Sequence, residues 1–313
     1  MRLGFESVGG RCVFSSEWDK YAQRTYEWNF GDRPHGDITQ IPAEAIPDFD
    51  LLLAGFPCQP FSSIGRRQGF DHPTQGTLFH DIVRVIKAKE PRAFLLENVE
   101  GLESHDGGRT IKIIDETLRS LGYITNRRVL DAADFGVPQH RRRTYIVGFR
   151  TRSAGIDFPM SWPTPSRARR GIGEFVETGV EGYSISQHLQ EVYLFKKDDG
   201  RPEIIDVRST EPVKTLCASY HKIQRLTGTF VRDGSTGLRL LTESECRAIM
   251  GFPTWFEIPR GVSRTQMYRQ YGNSVAVPVI KKIAKRISES LKVDIRDVSG
   301  GTGQARSQRR SVA

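Results

Sequence analysis

Short apolar runs alternate with amphipathic stretches through the first half of the chain. Arg11–Ser16 reads as a strand with Glu17 at its end. Asp19–Phe30 reads as a helix, with Tyr21, Thr25, Trp28 and Asn29 at helical spacing and Gly31 as its stop. Asp50–Ala54 is a short apolar run between an Asp and a Gly, the pattern of a buried parallel strand. Thr77–Lys89 sets Leu78, Ile82, Val85 and Ile86 on one helical face, and Pro91 ends it. Ala93–Leu96 is a second buried strand, ending at Glu97. Thr110–Leu121 is a further amphipathic helix, with Ile111, Ile114, Leu118 and Leu121 on its apolar side. Thr144–Phe149 is a last clear strand. This alternation predicts a doubly wound, mostly parallel α/β sheet. Ligands of such sheets sit beyond the C-terminal ends of the strands. Cys58 and Glu97 both come after strands on that side.

The pattern changes after about residue 156. Residues 158–170 are rich in Pro, Ser and Arg, and periodicity stays weak to about Gly237. Glu203–Val207 and Gly228–Val231 read as short β pieces. Thr242 and Glu245 form a capping-box start for a helix over Thr242–Met250, and Val277–Leu291 reads as a final helix. The expected organisation is a main domain over 1–155, a smaller β-rich domain over 156–238, a return to the main domain over 239–292, and a disordered tail over 293–313.

Composition narrows the possibilities. The 313 residues carry a net charge of +9, which favours polyanionic partners such as nucleic acid. No apolar run approaches the roughly 20 residues of a membrane span, and the N-terminus lacks a signal pattern. The four cysteines are scattered, with no CxxC pair or metal-ligand spacing. A cytoplasmic protein with free thiols and no metal is expected.

The sharpest segment is Gly55-Phe56-Pro57-Cys58-Gln59-Pro60-Phe61-Ser62. A cysteine between two prolines, just past a buried strand, sits on a stiff loop. Stiffness suits a nucleophile that must be held near attack distance. This segment resembles the catalytic motif of the cytosine-C5 DNA methyltransferases. The family's other motifs come after it in order. Glu97-Asn98-Val99 resembles its ENV motif, and Gln139-His140-Arg141-Arg142-Arg143 its QxRxR motif. Residues 239–251 resemble RxLTxxECxRxxG, and Tyr271-Gly272-Asn273-Ser274-Val275 resembles GNSV. The resemblance runs from residue 2 to about 290 and is nearest to the short bacterial restriction–modification methylases.

The resemblance implies a Rossmann-like, S-adenosylmethionine-dependent methyltransferase sheet with a smaller target-recognition domain over 156–238. It implies methyl transfer to C5 of a flipped cytosine in a specific duplex sequence. Cytosine C5 is a poor nucleophile. Addition of a thiolate at C6 turns the ring into an enamine-like species and splits one hard step into two. Cys58 takes that role by resemblance. Charge developing on the ring needs a proton or strong hydrogen bond at N3, which a carboxyl with a raised pKa supplies; Glu97 takes it by resemblance. Arg141 and Arg143 alternate on entry to a strand and so point the same way. Their family equivalents face the cytosine and the surrounding backbone. Arg142 reads as phosphate-facing or solvated.

For S-adenosylmethionine the resemblance implies Glu17 at the ribose, Trp18 near the adenine, Asp37 and Ile38 as adenine contacts, and Pro57, Leu78, Asn273 and Val275 lining the same pocket. S-adenosylhomocysteine would be the product. For DNA it implies Gln59 and Ser62 beside the nucleophile, and Thr215, Leu216 and Tyr220 in the recognition segment. A monomer acting in the cytoplasm, associated with the nucleoid, and a cognate endonuclease acting on the same site are the expected context.

One family motif is not matched. The family opens with a strand and glycine loop of the form DLFxGxGGF, whereas Met1-Arg2-Leu3-Gly4-Phe5-Glu6 resembles the family segment just C-terminal to that loop. Gly9-Gly10 lies after the first helix and is no substitute. The expected sheet therefore lacks its first strand, and weak cofactor binding is expected of the chain as written. A start upstream of Met1, a shortened inactive relative, and a strand supplied from elsewhere are the three explanations. Two other functions fit the motifs. One is a tRNA cytosine-C5 methyltransferase, although that resemblance carries a proline at Gly55 or Phe56. The other is a non-catalytic DNA-binding relative, for which an intact Cys58, Glu97 and Arg143 have no use.

Overall fold

The computed structural model describes residues 1–57, 78–151, 158–165 and 168–304, with side chains to Lys292 in the last helix. Local signals start and stop its elements. α1 spans Arg2–Glu6. Asp19 caps α2 (Lys20–Phe30) by accepting the N–H groups of Tyr21 and Ala22, and Gly31, at φ 77°, ends it. Next along the chain come β1 (Leu51–Gly55), α3 (Leu78–Lys89), β2 (Ala93–Val99), α4 (Arg109–Ser120), β3 (Tyr123–Asp131) and β4 (Arg142–Arg150). The second half holds a short α5 (Gln187–Leu189), β5 (Glu203–Ile205), β6 (Thr229–Val231), α6 (Glu243–Ile249), α7 (Arg264–Asn273) and α8 (Val277–Gln304).

The fold is α/β, and its four-stranded sheet is mixed, in the order β1-β2-β4-β3. β1 pairs parallel with β2, and β4 runs antiparallel to both neighbours. β1, β2 and β3 therefore point one way and β4 the other. The hydrophobic pattern does not mark β3, because Asn126, Arg127 and Arg128 are exposed mid-strand. Arg11–Ser16 is not a strand; only an isolated bridge joins Ser16 to His35. A strand needs a ladder partner, and among the described residues no strand lies along the outer edge of β1.

The two sheet faces are covered separately. Ala93 and Leu95 of β2, with Tyr145, Val147 and Phe149 of β4, pack against Val279, Ile280, Ile283 and Ile287 of α8. Phe94 and Leu96 face the other way, among Phe79, Ile82 and Ile86 of α3 and Ile111, Ile114 and Leu118 of α4. Phe94 lies directly opposite Gly148, where a Cβ would overlap its ring. β5 and β6 form a separate parallel pair. Their core joins Ile172, Leu194 and Phe230 to Ile249 and Met250 at the end of α6 and to Tyr268 of α7. The smaller unit thus shares its core with residues beyond the expected boundary at 238. The final helix also runs beyond Leu291 to Gln304, into the stretch expected to be a disordered tail.

Arg239 fastens the smaller unit to α6. Its fully buried guanidinium donates to both carboxylate oxygens of Glu245, at 2.9 and 2.8 Å, and to Asp233. Glu245 also accepts the backbone N–H groups of Thr242 and Glu177, completing the expected capping box. Removing Glu245 leaves the buried guanidinium with Asp233 as its one carboxylate partner among the described residues and strips the helix cap. Glu245→Ala is expected to lower unfolding stability by about 3–5 kcal/mol, measured by urea titration. Glu245→Gln, which keeps much of the cap without the charge, should fall between.

Candidate active site

The C-terminal ends of β1 and β2 converge on one rim. Gly55 sits opposite Glu97 in the parallel register. The Glu97 carboxyl leans over it, with Oε2 3.3 Å from where a Gly55 Cβ would stand. A side chain at residue 55 would crowd that position, which is a physical reason for glycine there. Just past β1, the buried Asn98 amide donates to the Phe56 carbonyl at 3.0 Å and fixes the exit of the chain toward Pro57. Pro57 is exposed at this rim. Cys58, Gln59 and Ser62 lie outside the described residues.

Glu97 is the electrostatic focus. Its side chain is only 13% exposed, and Oε1 meets Arg143 Nε at 3.2 Å. Burial pushes its carboxyl above the ordinary glutamate range, against the opposing pull of the Arg143 and Arg141 guanidinium groups. A carboxyl held this way keeps its proton to higher pH than a solvated one and can donate it.

Arg141 lies on the same side as Arg143, as expected, but its guanidinium is already engaged. Nη1 donates to the Leu216 carbonyl at 3.2 Å, and Nη2 to the Gly272 and Ser274 carbonyls at 2.8 and 2.7 Å. Burial pushes its pKa down to about 10, with Arg143 adding repulsion. These bonds tie the 215–216 segment to the 272–274 loop. The Asp131 carboxylate sets this turn by accepting the Arg141 and Ala133 N–H groups and pairing with His140 at 2.9 Å. Arg142 is exposed and pairs with Glu100.

The recognition segment is tied into the core. Leu216 and Tyr220 are buried core residues. The Tyr220 hydroxyl donates to the Thr229 carbonyl and accepts from the Leu241 N–H. Thr215 donates its hydroxyl to the His140 carbonyl at 2.6 Å. In the folded chain these three side chains make packing contacts and internal hydrogen bonds.

Glu17, Trp18, Asp37 and Ile38 come together. The Glu17 N–H donates to the His35 carbonyl, which brings residues 17–18 beside 35–38. Asp37 caps a short turn through the Thr39 N–H, and Arg84 of α3 holds the Ile38 and Ile41 carbonyls. The half-buried Glu17 carboxyl is raised by burial. It accepts the Asp19 N–H through Oε1 and has lone pairs left for a diol. Trp18 beside it is 75% exposed, an indole with an open face. A carboxylate and a free aromatic face fit the ribose and adenine of an adenosyl cofactor. Leu78 is half-buried at the start of α3, Asn273 is exposed and Val275 half-buried in the loop that Arg141 holds.

Asn98, Asp131, Gln139 and Arg84 were not expected as site residues. Gln139 is fully buried; it donates to the Ile249 carbonyl and accepts the Leu216 N–H at 2.7 Å. Asn98 and Gln139 stand inside the ENV and QxRxR segments, which was the available signal. Arg84 and Asp131 carried none.

Similarity to known proteins agrees with this geometry. The family profile described as C-5 cytosine-specific DNA methylase matches residues 1–289. The chain is 59% identical over 292 residues to the Type II methyltransferase M.MspI of Moraxella sp., covering 93% of this chain and 68% of that protein. It is 56% identical over 291 residues to the Type II methyltransferase M.BsuFI of Bacillus subtilis, covering 93% and 70%. Among solved structures, the S. pombe Dnmt2 methyltransferase superposes with a TM-score of 0.74 at 21% identity, over 92% of this chain and 95% of that one. The Entamoeba histolytica methyltransferase EhMeth superposes with a TM-score of 0.72 at 20% identity, over 93% and 94%. These last two likenesses concern the fold alone. Among the described residues no helix is long and apolar enough to cross a membrane.

Proposed function

We propose, because this chain belongs to the C-5 cytosine-specific DNA methylase family, that its strand-end residues carry out the family's chemistry. The chain is a DNA cytosine-5 methyltransferase, and the family uses S-adenosylmethionine. The observation that carries the mechanism is Glu97: a buried carboxyl with a raised pKa, held by Arg143 at the rim where the chain exits toward Cys58.

Cys58 supplies the thiolate that bonds to cytosine C6. Glu97 donates its proton, or a strong hydrogen bond, at N3 as charge builds on the ring. Arg143 keeps the Glu97 carboxyl oriented and stabilises negative charge near it. Once C5 carries the methyl group, its proton passes to water, the C6–S bond breaks to release the Cys58 thiolate, and N3 returns its proton to Glu97, which restores the aromatic ring. When bound, S-adenosylmethionine supplies the methyl group. Glu17 and Trp18 hold its ribose and adenine, Asp37 and Ile38 border the adenine, and Pro57, Leu78, Asn273 and Val275 line the remainder. The cytosine reaches this rim flipped out of its duplex, since its C6 is inaccessible in the stack.

Residues 156–238 select the target sequence. The relatives named Type II methyltransferases support a place in restriction–modification, with a cognate endonuclease cutting the same site. The enzyme works as a cytoplasmic, nucleoid-associated monomer. The test is incubation of the full chain with radiolabelled S-adenosylmethionine and either duplex DNA or tRNA, together with trapping on duplex containing 5-fluorocytosine. Label in DNA as 5-methylcytosine and a covalent protein–DNA band are expected. Label only in tRNA, or DNA binding with no adduct, would overturn the assignment.

A further inference from the structure

We propose that Tyr145 is a positioning residue for Glu97: its ring closes the β4 side of the carboxyl pocket and keeps water off the group. The inference rests on Glu97 acting as the acid, and it concerns what makes that acid possible.

The register places the two residues directly opposite in the antiparallel β2–β4 pair. Such partners lie on one sheet face with Cβ atoms about 4.5–5.5 Å apart. On the other flank stands Gly55, which offers no side chain. Two residues back along β2 on the same face is Leu95, fully buried and aliphatic. Tyr145 is therefore the residue directly opposite Glu97, and with the diagonal Arg143 it is one of two large β4 neighbours of the carboxyl among the described residues. It is 1% exposed and continuous with the Val147, Phe149 and Ile280 core, so the ring is firmly held.

The charged surroundings make such a wall matter. Arg143 and Arg141 face Glu97 from the β4 side, and the buried Met1 amine, pushed down to about 6 by burial, stands at the start of α1. The two arginines favour the ionised carboxylate, the amine joins them only where it is protonated, and dehydration opposes them. Tyr145 adds no charge of its own, because burial and then the Glu97 charge hold its phenol above the ordinary tyrosine range. A smaller side chain would admit water and let the arginines prevail.

The experiment is a carbon-13 NMR titration of the full chain labelled at glutamate Cδ, with the Glu97 resonance identified by its loss in Glu97→Gln. Wild type should titrate above an ordinary glutamate. Tyr145→Phe, which keeps the ring, should retain that midpoint, and Tyr145→Leu should lower it by about one unit or more. Tyr145→Met serves the same purpose if the leucine variant does not fold, and thermal unfolding reports folding separately. An unchanged midpoint in the folded leucine or methionine variant overturns the proposal. So does a shift in the phenylalanine variant as large as that in leucine, which would assign the effect to the hydroxyl. Normal turnover by Glu97→Gln would instead remove the acid assignment and leave the titration result standing.

Discussion

Cys58→Ala is expected to abolish the covalent band on 5-fluorocytosine duplex and to lower methyl transfer at least about 10⁴-fold, the scale on which loss of a nucleophile acts in other covalent enzymes. Duplex affinity should stay near wild type, because the thiol bonds to the base only after flipping. None of the described cysteines offers a substitute. Cys246 is buried in the α6 core, and burial pushes its thiol far up. Cys12 is half-buried and its sulfur contacts the Phe14 carbonyl and the Tyr26 hydroxyl. Cys217 donates to the Thr215 carbonyl. Cys12→Ser is the matched control and should trap normally. Measurement is by denaturing gel of the trapped complex and by single-turnover methyl transfer. A persistent adduct in Cys58→Ala would move the nucleophile elsewhere.

Elements with a continuous apolar pattern were legible in the chain. β1, β2, α3 and α4 each carry one, and each ends within three residues of its expected place. The capping box at Thr242 and Glu245 is a local signal and survives as such. β3 escaped because three polar residues in its middle face solvent on a strand whose ends are buried. Arg11–Ser16 misled in the opposite way: its pattern suits a strand, but strand formation depends on a partner that local sequence does not specify.

The site divides along similar lines. Motif order marked Glu97 and Arg143, and alternation put Arg141 on their side. Alternation says nothing of what lies across from a side chain. Three backbone carbonyls from two distant segments, at residues 216, 272 and 274, took the Arg141 guanidinium. The 215–220 stretch looked like a reading segment because its motif is a recognition motif. Its apolar members nevertheless have the composition of a core, and they pack as one. Gly272 shows how tight that packing is, since a Cβ there would overlap the Ala218 backbone.

Glu97→Gln is expected to lower turnover about 10²–10⁴-fold, the range of general acid–base contributions, with duplex affinity changed little. Glutamine keeps the shape and can still donate a weak hydrogen bond at N3, but it has no proton to transfer. The pH dependence separates this from a packing defect. Glu97 must be protonated to act, and burial raises its pKa. Wild-type turnover therefore holds through the ordinary carboxylate range and falls as pH rises through the raised Glu97 value. In the glutamine variant that falling limb should be absent, leaving only the pH dependence of Cys58 ionisation. Arg143→Gln moves the same limb the other way, because removing a cation 3.2 Å from the carboxylate raises the Glu97 pKa further. Its limb should appear at higher pH even as the maximal rate drops, since the charge that Arg143 stabilises in the transition state loses its partner. Rate–pH profiles under single-turnover conditions with excess enzyme check both. A wild-type rate that rises through this window more steeply than that of the glutamine variant would mean that the carboxylate, not the acid, is the working form, and Glu97 would then be a base.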